Sequence, residues 1–293
     1  MDFDGYYIFA SSVAALVARI CTHPIDTIKT RLQVLSGTDE HIFRQIFHTA
    51  SPIQIVRSLY RGLPVTLVFS VPALSVYLTC YETTKKYLDS HGIKNDAMLN
   101  HLISGCMAEV AAGVLFTPME VMKNRLQTQS IATQADMSLA RQIYKTEGIR
   151  GFFRGYWMGL AVFVPHTMTY FATYEQFKMM YANYLGHGKI VGDAAQLPLS
   201  AYLLCSGAAG TLGICLSTPL DIVKTRWQIS ASEQGRAFRQ GPIEIARHMW
   251  KEEGRCRAFT KGLATRIAWG IPTTAISMTV FEYLKDWRQA SHQ

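Results

Sequence analysis

Residues 23–33 read HPIDTIKTRLQ. They follow an apolar run, YYIFASSVAALVARICT (6–22), that is greasy enough to sit in a membrane. Where such a run should simply end stand a proline, an acid and two bases: Pro24, Asp26, Lys29 and Arg31. The pattern returns twice, as TPMEVMKNRLQ (117–127) and TPLDIVKTRWQ (218–228). The three prolines, Pro24, Pro118 and Pro219, are separated by 94 and 101 residues. Two further marks recur in the same order. YRG at 60–62, FRG at 153–155 and TKG at 260–262 form one set. YETTK at 81–85, YEQFK at 174–178 and FEYLK at 281–285 form the other. The chain is a triplicated unit, with repeats at 1–92, 93–189 and 190–293 forming one integral domain, and the period exceeds the roughly 20–50 residues of most solenoids.

Each repeat contains two long, one-sided apolar segments, expected at about 6–35, 64–89, 98–128, 157–185, 199–229 and 264–288. The spacing predicts an all-α membrane protein, because helices satisfy every backbone group in hydrocarbon. Six helices in pseudo-threefold order would surround a central cavity. Small residues early in the odd-numbered segments (Ser11, Ala15, Gly105, Gly207, Gly210) are expected to permit close helix approach. Between the two segments of each repeat lies a shorter amphipathic stretch, clearest at 138–155 and 241–262, with a Glu-Gly stop at Glu147-Gly148 and Glu253-Gly254. Repeat one has SPIQIVRSLYRG there instead, so the form of its surface helix is open.

Composition agrees with this reading. Hydrophobic residues make up 49% of the 293 and charged residues only 17%, against about 25% charged in average globular chains. The net charge of +8 is spread along the chain and in register with the repeats, which disfavours a nucleic-acid patch. Six cysteines show no C-x-x-C pair and no zinc spacing, and they read as packing residues. Neither a nucleophile–base spacing nor a phosphate-binding glycine loop appears, so an enzyme is disfavoured, and no cofactor or metal is implied. The acidic start MDFDGYYIF is neither a secretory signal nor an Arg-rich transit peptide, which places any targeting information within the chain.

Proline kinks a helix. Three kinks at equivalent depth would bring three helix ends toward one axis. Asp26 and Lys29, Glu120 and Lys123, and Asp221 and Lys224 are each three apart and share a helix face. Each acid can then meet the lysine of a neighbouring repeat. Glu82 and Lys85, Glu175 and Lys178, and Glu282 and Lys285 repeat the arrangement at the far ends of the even-numbered segments. Two charge rings, each able to shut one end of a cavity, are the minimum for alternating access.

These motifs resemble those of the mitochondrial carrier family over essentially the whole chain. The pattern P-x-[DE]-x-x-[KR]-x-[KR] is met three times, and so is [FY]-[DE]-x-x-[KR]. The resemblance implies a monomeric, multi-pass transporter of the mitochondrial inner membrane with a short matrix-side helix in each repeat. It also implies a single solute site and termini toward the intermembrane space. The first set corresponds to a matrix network, with Gln33, Gln127 and Gln228 as braces beneath it. The second corresponds to a cytoplasmic network, braced by Tyr81 and Tyr174, whereas Phe281 at the third position has no hydroxyl. Gly62, Gly155 and Gly262 correspond to glycines whose amides help hold cardiolipin.

The resemblance places the substrate contacts at Phe69, at Val162 with Phe163, and at Trp269, none of them charged. The landmark prolines Pro72, Pro165 and Pro272 support this register. Arg19, Glu109, His166, Tyr170 and Arg266 are further candidates for the cavity wall. The aromatics can stack on a flat or cationic solute or merely pack. His166 can be a ligand, a proton relay or a packed histidine, Glu109 a functional acid or a structural one, and Arg266 a gate arginine. A small, weakly charged or cationic metabolite is expected. The rival reading is a carrier-fold receptor or adaptor without transport.

Overall fold

The computed structural model describes residues 5–34, 52–94, 97–128, 136–184, 199–229, 241–252 and 256–291. Among these, every regular element is helical. Repeat one contributes α1 (Gly5–Val34), α2 (Pro52–Leu59) and α3 (Leu63–Ser90). Repeat two contributes α4 (Met98–Thr128), α5 (Asp136–Glu147), α6 (Ile149–Phe152) and α7 (Tyr156–Tyr184). Repeat three contributes α8 (Leu199–Ile229), α9 (Pro242–Glu252), α10 (Cys256–Phe259) and α11 (Leu263–Ser291). The six long helices start and end within three residues of the expected segments. Each contains its proline (Pro24, Pro72, Pro118, Pro165, Pro219 or Pro272) and continues through it. Taken alone, two stretches among the described residues are long and apolar enough to cross a membrane: Pro52–Ser90 and Met98–Thr128.

The long helices close into a ring. The most extensive packing lies between repeats: α3 on α4, α7 on α8, and α11 back on α1. Ala10, Ala14 and Ala18, spaced one turn apart on α1, are each 1% exposed, and the Tyr6 hydroxyl donates to the Leu284 carbonyl of α11 at 2.6 Å. Small residues do allow close approach, but not at all the expected positions. Gly105 of α4 lies under the Phe163 ring of α7, 3.1 Å from where a Cβ would stand. Gly113 likewise meets Tyr156 at 2.9 Å, and Gly213 meets His166 at 2.9 Å. Gly207 and Gly210 face open space, so the close contact on α8 falls one turn later than expected. Ser11 and Ala15 are only half-buried, because the face that packs is one residue out of phase with them.

The surface stretch of repeat two is two helices rather than one. It breaks at Gly148, whose φ of 65° lies in the left-handed region that favours glycine. Repeat three shows the same division between α9 and α10, although its Glu253-Gly254 stop lies outside the described residues. In repeat one, the described part of the surface stretch is the eight-residue α2. It keeps its place without the acid. Thr27 Oγ1 donates to the Leu59 carbonyl at 2.7 Å, Arg31 Nη2 to the Ser58 carbonyl at 3.1 Å, and His23 Nε2 lies 3.1 Å from the Arg61 carbonyl. Side chains of α1 thereby satisfy carbonyls that the end of a helix leaves without partners. In repeat two that anchoring passes through a carboxylate: Arg125 grips Glu147 with contacts of 2.5 and 3.0 Å, and Arg154 joins at 3.3 Å.

Candidate transport site and its charge rings

Helices α1, α4 and α8 meet just beyond Pro24, Pro118 and Pro219, and the charges there pair between repeats in cyclic order. Lys29 of repeat one reaches Asp221 of repeat three at 3.6 Å. Lys224 of repeat three reaches Glu120 of repeat two at 2.6 Å. Lys123 of repeat two contacts Asp26 of repeat one, whose side chain is only 7% exposed. The glutamines lie directly below. Gln33 donates to Asp221 at 3.3 Å, Gln127 to Asp26 at 3.3 Å and Gln228 to Glu120 at 3.2 Å. Each carboxylate thus has a lysine from one direction and an amide from another. Such satisfaction is what burying these charges requires.

The ring is not symmetric. Asp221 also forms an ion pair with Arg266 Nη1 at 3.2 Å, so one of the three acids has two cations. Arg266 further donates to Thr218 Oγ1 at 3.4 Å. Asn124, which sequence reasoning overlooked, donates to Gln228 Oε1 at 2.6 Å and fixes that brace. The second bases of the three motifs tie the helix ends together through backbone. Arg31 Nε donates to the Gln127 carbonyl, Arg125 Nε to Gln228 and Arg226 Nε to Gln33, at 2.8, 2.9 and 2.8 Å. Only the repetition of that base hinted at this, since its partners are carbonyls that any residue would supply.

Gly62, Gly155 and Gly262 all have positive φ (84°, 88° and 73°) and stand immediately before α3, α7 and α11. Their Cβ sides face the next repeat's ring helix. A side chain would lie 3.5 Å from Lys123 Cα at Gly62, and 3.2 Å from Gln228 Cγ at Gly155 or from Gln33 Cγ at Gly262. The glycines therefore permit the close approach that brings each lysine to its acid.

At the opposite end the described groups stand differently. Glu175 is 59% exposed, and Lys178 bonds it along the same helix at 3.2 Å. Lys178 also lies 5.3 Å from the Tyr174 ring centroid, and Lys85 lies 6.0 Å from that of Tyr81. The Tyr81 hydroxyl sits 2.6 Å from His101 Nδ1 on α4. Glu82 is half-buried on α3. The side chains of Glu282, Lys285 and Phe281 lie outside the described residues.

The expected substrate contacts are distributed between packing and the ring. Phe69 packs on the cluster of Val65, Met119 and Leu126. Phe163 covers Gly105, and Val162 beside it is half-buried. His166 presses on Gly213, its Nδ1 buried and without a hydrogen bond. The Trp269 ring has Lys29 Nζ 5.4 Å from its centroid, which couples this position to the ring. Arg19 and Glu109 are half-buried, the first near Asp26 and Glu120, the second near Glu120 and Lys224.

A triplicated helical chain with this cyclic pairing has a close counterpart among known sequences. The mitochondrial carrier protein family matches residues 4–92, 94–185 and 195–292. The chain belongs to the mitochondrial carrier family. The match falls in three successive stretches, as a triplicated chain requires. An uncharacterised mitochondrial carrier of Schizosaccharomyces pombe is 32% identical over 292 residues, covering 96% of this chain and 98% of its own. Human mitoferrin-1 is 28% identical over 291 residues, 95% of this chain and 82% of its own. The S-adenosylmethionine mitochondrial carrier protein homolog of Drosophila melanogaster is 30% identical over 263 residues, 89% of this chain and 85% of its own. This carrier therefore sits among transporters, and membership implies the mitochondrial inner membrane.

Proposed function

We propose that this carrier is a multi-pass, monomeric protein that moves a small metabolite across the mitochondrial inner membrane. It works by alternating access through a single central site. The observation that carries the reading is the cyclic set of three inter-repeat pairs at one end. Asp26, Lys29, Glu120, Lys123, Asp221 and Lys224 form the matrix gate, braced by Gln33, Gln127 and Gln228. Glu82, Lys85, Glu175, Lys178, Glu282 and Lys285, with Tyr81 and Tyr174, form the cytoplasmic gate. With the matrix pairs made, the cavity is open to the cytoplasmic side. A half-buried pair regains water when it parts, so its net worth is small compared with its gross attraction. Solute binding and formation of the opposite pairs offset that cost.

The substrate is a small, weakly charged or cationic metabolite. Phe69, Val162, Phe163 and Trp269 supply no formal charge. Arg266 is already engaged by Asp221, which leaves Arg19 as the sole basic candidate for an anionic solute. A dicarboxylate or nucleotide would lose several kcal/mol on desolvation there. Uptake into proteoliposomes, comparing malate, citrate and ATP with amino acids and aromatic cofactors, tests this. Saturable malate, citrate or ATP exchange that persists in Trp269→Ala would overturn the assignment.

Cardiolipin is the proposed lipid partner, held at amides near Gly62, Gly155 and Gly262, where helix starts favour phosphate. Adding cardiolipin to detergent-solubilised protein should raise its melting temperature by several degrees. A flat response, beside a carrier that does respond, would remove this proposal.

A further inference from the structure

Resting on the carrier reading, we infer that Arg19 and Glu109 are the two poles of a binding site for an α-amino-acid-type zwitterion. Arg19 receives the carboxylate and Glu109 the ammonium. Both charges break the threefold pattern. At the place of Arg19, five residues before the motif proline, repeats two and three have Gly113 and Ile214. At the place of Glu109, nine before it, repeats one and three have Ala15 and Gly210. Groups needed to open and close a threefold gate recur three times, whereas a solute without threefold symmetry requires groups that occur once.

Helix geometry aims both side chains inward. Arg19 precedes Asp26 by seven residues, and Glu109 precedes Glu120 by eleven. At about 3.6 residues per turn, these intervals are close to two and three whole turns. Each therefore shares the face of α1 or α4 that carries its ring carboxylate. The rise of about 1.5 Å per residue sets Arg19 roughly 10 Å and Glu109 roughly 16 Å above the ring. A depth offset of about 6 Å suits one small dipolar head held at both ends, since each ion-pair contact spans about 2.7–2.9 Å.

Among the described residues, Arg19 and Glu109 form no hydrogen bond and no ion pair, although Asp26 and Glu120 act electrostatically on Arg19, and Glu120 and Lys224 on Glu109. Ionisable groups at membrane depth are costly to leave idle. Glu109 reaches the inner face of α7: the Cβ position of Gly159 lies 3.8 Å from Glu109 Oε1 and 3.7 Å from Lys224 Nζ, so Gly159 adds no side chain beside the acid. A bare metal ion is less well served. Among the described residues, no three His, Cys, Asp or Glu side chains converge.

Thermal-shift titration of the purified carrier tests the assignment, first with the twenty protein amino acids and S-adenosylmethionine beside dicarboxylates, nucleotides, polyamines and divalent metals. The best ligand is then compared with its deaminated and decarboxylated forms in the parent protein, Arg19→Gln and Glu109→Gln. The expected result is that a zwitterion binds best and that losing either pole weakens it about thirtyfold. Glu109→Gln should weaken the intact ligand but leave the deaminated form unchanged, and Arg19→Gln should spare the decarboxylated form. A merely structural role for either residue would weaken all forms alike, and that outcome overturns the proposal. So does stabilisation and uptake confined to another solute class, which leaves the carrier reading standing. Absence of uptake for every solute tried would remove both.

Discussion

Lys123→Ala is expected to lower solute uptake by about a hundredfold while the protein still inserts and folds. Lys123 is the partner of Asp26, the most buried carboxylate of the ring. Once the lysine is gone, Asp26 retains Gln127 at 3.3 Å, a neutral donor that cannot balance its charge. Removing one member of a buried pair costs about 3–5 kcal/mol, and 3 kcal/mol corresponds to about a hundredfold in an equilibrium. In the proposed cycle the equilibrium is closure of the matrix gate. The structure also ranks the three lysines. Lys224→Ala should come close to Lys123→Ala, since among the described residues Glu120 would keep Gln228 as its one direct partner. Lys29→Ala should be the mildest, because Asp221 keeps Arg266 at 3.2 Å as well as Gln33. Initial uptake rates of the three variants, corrected for the amount reconstituted, decide this. Full activity in all three would end the alternating-access reading, and Lys29→Ala as the worst would remove the role given to Arg266.

Arg125→Leu should be the most destabilising single change on the matrix side. The guanidinium ties three chain segments together. It donates to the Gln228 carbonyl of α8 and holds both oxygens of Glu147 at the end of α5, from a place on α4 where it is 2% exposed. Leucine fills part of the volume but leaves the carbonyl bare and Glu147 with Arg154 alone. A loss of about 3–5 kcal/mol is expected, which at about 2–4 °C per kcal/mol lowers the melting temperature by roughly 10 °C. Arg31→Leu is the informative comparison. In repeat one the arginine binds only the carbonyls of Gln127 and Ser58 among the described residues, so no carboxylate is orphaned and the loss should be smaller. Equal shifts for the two variants would show that Glu147 contributes nothing beyond what a carbonyl does.

The placement of the long helices was legible because apolar length and repeated proline are local signals. The charges at the proline end were visible as well, since an acid and a lysine three apart on one helix face follow each of the three prolines. The surface helices were less legible. The left-handed turn at Gly148 splits one expected helix into two, and the eight-residue α2 rests on His23, Thr27 and Arg31, which lie more than 25 positions away in sequence. Aromatic residues were the hardest to read. Their register places Phe163 and Phe69 on the cavity wall, and their half-buried rings also pack on Gly105 and on the Val65 cluster. Register fixes a residue's depth in a helix, but a one-residue rotation moves it from lumen to interface.

The sequence by itself determined the triplication, the six long helices, the family and the residues able to form a ring. Those depend on spacing along one chain and survive any arrangement of the helices. Which lysine meets which acid was decided only by the tertiary structure. Asp26 has Lys29 three residues away, yet it contacts Lys123, because packing α3 on α4, α7 on α8 and α11 on α1 turns each helix's acid toward its neighbour. The double engagement of Asp221 arises in the same way: Arg266 is 45 residues from it in sequence and 3.2 Å away in space. Repeats one and two have Thr66 and Gly159 at the place of Arg266, so the sequence already holds the asymmetry, and closure of the ring decides which acid receives it.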